Sequence, residues 1–149
     1  MAESTGKTVL FLCTGNYYRS RFAETLFNAL AGRAALPWRA TSRGLAVERG
    51  IHNVGPMARS AVTHLEMLGL AGAPDFARLP AQVTTAELEA ADRIVALKQA
   101  EHLPLLQERF PAWIEKVEFW HVDDAPGVLG LIEREVTALI GLLANSAGR

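Results

Sequence analysis

Residues 8–32, "TVLFLCTGNYYRSRFAETLFNALAG", decide how this chain reads. The first six form a continuous apolar run, the pattern of a strand buried on both faces, as in a parallel sheet. From Arg21 the spacing changes: Phe22, Leu26, Ala29 and Leu30 share one helical face, and Gly32 is placed to stop the helix. Between run and helix lies "CTGNYYRS" (13–20), which holds the only cysteine and both tyrosines of the 149 residues. A turn from strand to helix leaves backbone N–H groups unpaired, and the helix N-terminus adds a positive field, so such a turn is a ready anion site. Gly15 and Asn16 are the residues best able to take left-handed backbone conformations, which curl a loop into an anion nest. Arg19 brings a planar fork of donors that suits two phosphate oxygens. The same field favours the thiolate of Cys13. Ser20 can cap the helix or give a hydroxyl bond to that thiolate. The stretch describes a nucleophile at the base of an anion cradle.

Working outward, 38–45 reads as a second strand, and 57–70 as a helix with Ala61, Leu65 and Leu68 on one stripe, Pro56 at its start and Gly69 at its end. Residues 71–83 read as a loop, 84–91 as a short helix capped by Thr84 or Thr85, and 92–98 as a third strand. Residues 99–110 are helical, with Pro104 in the first turn or making a break. Residues 116–122 read as a fourth strand. The strongest helix is 127–145, where Val128, Ile132, Val136, Leu139 and Leu143 hold helical spacing. Strands alternating with helices predict a three-layer α/β domain with a mostly parallel sheet and right-handed crossovers. Ligands in such folds bind beyond the carboxyl ends of the strands. Cys13 ends the first strand, and Asp123 and Asp124 end the fourth, so the two points are expected at one sheet edge.

Composition fits a single domain over 1–149, long enough to bury a core. Half the residues are hydrophobic and 21% are charged; fifteen basic and sixteen acidic residues leave a net charge of −1. That balance points to neither nucleic acid nor an anionic membrane. No apolar run reaches transmembrane length, the start lacks signal-peptide features, and one cysteine allows no internal disulfide, so a cytoplasmic setting is expected. The four histidines (52, 64, 102 and 121) show no metal-ligand spacing and read as structural or solvent-facing. Arg43, Arg49 and His52 either rim the cleft or are ordinary exposed charges.

Cys13, five residues, then Arg19 and Ser20, with Gly15 and Asn16 in place, resembles the active-site loop of the low-molecular-weight protein tyrosine phosphatases. "ATSRGL", "ADRIVALK" and "FWHVDDAPG" resemble that family's second strand, third strand and acid-bearing late loop. The resemblance covers roughly residues 7 to 143. It implies a four-stranded parallel sheet flanked by helices, a flavodoxin-like doubly wound fold, and metal-free, cofactor-free hydrolysis of phosphate monoesters. Carried over, it makes Cys13 the nucleophile that becomes a cysteinyl phosphate. The backbone of Thr14, Gly15, Asn16, Tyr17, Tyr18 and Arg19, with the Arg19 guanidinium, would hold the phosphate. Asn16, Ser20 and Ser42 would support the loop. Asp124, rather than Asp123, would protonate the leaving oxygen and then activate water.

The chain departs from that family in four places. Tyr18 stands where a second cysteine is common. Ala125 replaces the proline after the acid. Gly127 and Val128 replace an aromatic pair, and 46–53 lacks a large aromatic. Tyr17 and Tyr18 either supply aromatic walls in their stead or pack as ordinary core and surface residues. The expected substrate is a phosphorylated protein or a small aryl phosphate. Two rival readings are arsenate reduction with an external thiol and a phosphate- or phosphoprotein-binding module that has lost turnover.

Overall fold

The computed structural model describes residues 6–70, 77–122 and 127–147. Strand β1 spans Lys7–Cys13, β2 Trp38–Gly44, β3 Arg93–Ala96 and β4 Val117–Phe119. They form one parallel sheet in the order β2-β1-β3-β4. The helices are α1 (Arg19–Arg33), α2 (Arg59–Met67), α3 (Thr85–Ala90), α4 (Gln99–Arg109) and α5 (Val128–Ala147). The expected four-stranded parallel α/β architecture is therefore present.

Strand alternation divides the core in two. Val9, Phe11, Val95 and Leu97 face one side, where Phe22, Leu26 and Phe27 of α1, Ala61 and Leu65 of α2, and Ile132, Val136, Leu139 and Leu143 of α5 cover them. Leu10, Leu12, Ile94 and Ala96 face the other side, under Leu88 of α3 and Leu105 and Leu106 of α4. Phe11 meets Phe27 edge-on, with ring centroids 6.0 Å apart. Each such large side chain, fully buried, contributes about 1.5–3 kcal/mol, so both faces of β1 anchor the position of the loop that follows it.

Local signals explain two of the element ends. Thr84 caps α3 in a reciprocal capping box with Glu87. Gly69, at φ +81°, follows α2 in the left-handed region. Three expectations are corrected. Gly32 lies inside α1, which continues to Arg33. Pro104 neither starts nor breaks α4; the helix runs through it on an exposed face. Regular β4 ends at Phe119, and His121 instead makes an isolated antiparallel bridge with Lys98. Among the described residues, no helix is long and apolar enough to cross a membrane.

The strand order reverses between β1 and β3, and the crevice of an open parallel sheet opens at that reversal. The segments that leave the sheet there are the loop after Cys13 and the start of α4.

Candidate active site

Helix α1 begins at Arg19, and its N-cap, Tyr18, makes no side-chain capping bond. The carbonyls of Cys13, Thr14, Tyr17 and Tyr18 accept backbone bonds from Leu45, Ala46, Ala58 and Phe22 respectively. Among the described residues, no N–H from Thr14 to Tyr18 donates to a backbone carbonyl. The carbonyls of Cys13, Thr14 and Tyr17 are thus tied to the scaffold, while the amide donors of Thr14 to Tyr18 meet no backbone carbonyl among the described residues, the pattern of an anion-binding turn. Asn16 has φ +52°, the left-handed conformation that lets the chain curl. The expectation for Gly15 is corrected, because its φ is not positive and a Cβ there would meet only Asn53 Nδ2, at 3.7 Å. Gly44 is the glycine the loop needs. A Cβ at Gly44 would lie 2.8 Å from the Thr14 carbonyl oxygen and 3.1 Å from the Asn16 nitrogen.

Cys13 is 3% exposed at the end of β1. Its Sγ lies 3.0 Å from Oγ of Ser20, the second residue of α1. Ser20 therefore serves the thiol rather than the helix cap. Buried Asn16 ties the loop to the sheet: Nδ2 donates to Ser20 Oγ (3.0 Å) and Ser42 Oγ (2.9 Å). Its Oδ1 accepts from the Ala81 N–H (3.0 Å) and Arg78 Nη1 (3.2 Å). Arg78 Nη2 reaches Glu24 Oε1 at 3.0 Å and Ser42 Oγ at 3.1 Å, and Ser42 Oγ donates to Glu24 Oε1 at 2.5 Å. Asn16, Ser42, Glu24 and Arg78 form one closed polar network behind the loop, in which every bond has an acceptor and a donor of fitting type.

The other flank belongs to α4. Glu101, in its first turn, accepts from the Thr14 hydroxyl and from Arg19 Nη2 (2.9 Å), both at Oε2. The same oxygen lies 3.4 Å from Nε2 of His102, a long contact from a fully buried ring. His102 Nδ1 accepts the Lys98 N–H at 3.1 Å, which places the ring proton on Nε2, toward Glu101. Glu101 is held well below the usual carboxylate range, by the His102 contact first and then by Thr14 and Arg19, against the opposing effect of burial. It is ionised at neutral pH and holds no proton to give a leaving group.

Of the residues singled out in the sequence, Cys13, Ser20, Asn16 and Ser42 are joined by side-chain contacts, and Arg19 is tied to Thr14 of the same loop through Glu101. Tyr17 donates its hydroxyl to the Val54 carbonyl (2.5 Å) and lines a cavity of about 370 Å³ with Pro56, Met57 and Val62. Tyr18 is partly buried against the core. Asp123, Asp124 and Ala125 lie outside the described residues. Glu24, Arg78, Glu101 and His102 are site residues that the sequence reading did not single out. For Glu24 a signal exists: it follows Ser20 by four residues and shares its helix face. Among the described residues, no group of three or more His, Cys, Asp or Glu side chains is placed to hold a metal ion.

Residues 8–141 match the family model described as low molecular weight phosphotyrosine protein phosphatase. Solved structures share the fold. YfkJ from Bacillus subtilis is 24% identical with a TM-score of 0.78, over 97% of this chain and 99% of that one. The low molecular weight protein tyrosine phosphatase from T. tengcongensis is 25% identical with a TM-score of 0.71, over 95% and 99%. The YwlE arginine phosphatase from Geobacillus stearothermophilus is 23% identical with a TM-score of 0.68, over 95% and 93%. A sequence comparison with curated proteins finds no match.

Proposed function

The chain belongs to the low molecular weight phosphotyrosine protein phosphatase family and is a phosphatase; from that premise we propose that it hydrolyses aryl phosphate monoesters, phosphotyrosine among them, through a cysteinyl phosphate at Cys13. The observation that carries the reading is the 3.0 Å contact of Cys13 Sγ with Ser20 Oγ, at the base of a loop whose amides from Thr14 to Tyr18 donate to no backbone carbonyl among the described residues.

In this reading the thiolate attacks phosphorus, the P–O bond to the leaving group breaks, and Asp124 gives its proton to the departing oxygen. The amides from Thr14 to Arg19 and the Arg19 guanidinium meet the equatorial oxygens, whose charge rises in the transition state. Asp124 then takes a proton from water, which attacks phosphorus and frees the thiolate. Asn16, Ser20 and Ser42 keep the loop in register, and Ser20 steadies the thiolate during release.

A substrate panel tests the proposal: 4-nitrophenyl phosphate, a phosphotyrosine peptide and a phosphoarginine peptide, each with wild type and Cys13→Ser. Turnover of both esters by wild type, abolished by Cys13→Ser, is expected. Turnover of phosphoarginine alone, the substrate class named for the Geobacillus neighbour, would overturn the ester assignment.

A further inference from the structure

Thr14 and Arg19 stand on the β1 side of the crevice, whereas Glu101 reaches them from the β3 side, off the first turn of α4. We propose that Glu101 is a positioning residue for the reaction, its Oε2 fixing the Arg19 guanidinium and the Thr14 hydroxyl across the crevice. The inference rests on the phosphatase reading of this loop.

An exposed ion pair would carry no such inference, since most contribute little. This one is different in three respects. The Arg19 side chain is 8% exposed and that of Glu101 30%, so solvent screens the pair poorly. Two separate loop residues converge on one carboxylate oxygen, which ties the first residue after the nucleophile to the first residue of α1. Behind them a fully buried histidine has its ring orientation set by the Lys98 N–H and turns its other nitrogen toward that same oxygen. A chain of contacts thus runs from the α4 backbone through His102 and Glu101 to the guanidinium.

Chemistry gives the arrangement a purpose. A guanidinium has five donors in a fixed plane. The bond from Nη2 to Glu101 fixes the orientation of that plane relative to the loop. The cost is a carboxylate near a dianionic substrate, which weakens ground-state attraction. A residue of this kind therefore acts mainly on kcat, because the oriented fork matters most where charge develops.

The test compares wild type, Glu101→Gln, Glu101→Ala, Arg19→Ala and the Glu101→Ala/Arg19→Ala pair. The readouts are kcat and KM on 4-nitrophenyl phosphate, inorganic phosphate affinity by calorimetry, and thermal midpoint. Glu101→Ala is expected to lower kcat by about 10- to 100-fold, the range of a lost positioning contact. Phosphate affinity is expected to hold or tighten. Glu101→Gln keeps an acceptor oxygen and should recover most of the rate. In the Arg19→Ala background the Glu101 substitution should add almost nothing, because its effect passes through the guanidinium.

An unchanged kcat in Glu101→Ala overturns the proposal. So does a raised kcat, which would make Glu101 a plug. Equal losses of rate, phosphate affinity and thermal midpoint, additive with Arg19→Ala, would make its role merely structural. A wild type that turns over no ester would instead overturn the reading of the loop itself, and this inference with it.

Discussion

Replacing Asn16 probes the loop at the point where backbone strain and buried polarity meet. Its left-handed φ of +52° suits asparagine, while a residue such as alanine adopts it at a cost of about 1–2 kcal/mol. Its side chain is fully buried and makes four bonds, two given by Nδ2 and two accepted by Oδ1. Alanine leaves the Ala81 N–H without an acceptor, worth about 1–3 kcal/mol. Arg78 is hurt less, since it is partly exposed and keeps Glu24 and Ser42. The sum for Asn16→Ala is about 2–5 kcal/mol, a large share of the ~5–15 kcal/mol that keeps a domain folded. Asn16→Gly relieves the backbone term and retains the polar loss, so it should be more stable than Asn16→Ala by about 1 kcal/mol. Urea unfolding of the three proteins, with kcat on 4-nitrophenyl phosphate beside it, reads both terms. Asn16→Ala within about 0.5 kcal/mol of wild type, or Asn16→Gly less stable than Asn16→Ala, would refute the reasoning.

Gly44→Ala places a methyl 2.8 Å from the Thr14 carbonyl oxygen, which is itself held by Ala46 N–H. It should cost about 1–3 kcal/mol in overpacking and lower kcat/KM by about tenfold or more; wild-type kinetics would show that the loop has room to move. Asp124→Asn should slow phosphotyrosine hydrolysis by about 10²–10⁴-fold and 4-nitrophenyl phosphate hydrolysis far less, with Asp123→Asn mild on both; the reverse pattern moves the acid to Asp123. For Glu101 the sign of the pH effect follows from its depressed folded-state pKa. Its contribution to stability is present above the ordinary carboxyl value of 4.5 and fades as pH falls below it, because the unfolded chain takes up the proton first. Urea midpoints between pH 6 and pH 3 should therefore fall less steeply for Glu101→Gln than for wild type, and parallel slopes would contradict the shift.

Most of the fold was written locally. The run at 8–13 and the helical spacing of 127–145 named two elements correctly, because each buries enough apolar surface to fix its own conformation. The fourth strand was read too long. Trp120 and Val122 still donate to Ala96 and Leu97 carbonyls, so hydrophobicity continues after the regular ladder has ended. The site divides the same way. Cys13, Asn16, Arg19 and Ser20 are visible because one turn and one helix start carry them. Arg78 and Glu101 act across 62 and 87 positions of the chain, and a charged residue in a loop or a first helical turn looks the same in sequence whether it meets solvent or a buried partner. The reversal of strand order between β1 and β3 is what brings Glu101 in, and no local pattern records strand order.

The account stands on Cys13 as the atom that takes the phosphoryl group. Wild-type protein mixed with excess 4-nitrophenyl phosphate, quenched in acid at steady state and digested for mass spectrometry, tests that directly. The mechanism predicts one added phosphoryl group, on the peptide containing Cys13 and on its sulfur, and none in Cys13→Ala. Hydrolysis with no phosphoryl group on Cys13, or with one on another side chain, would contradict it.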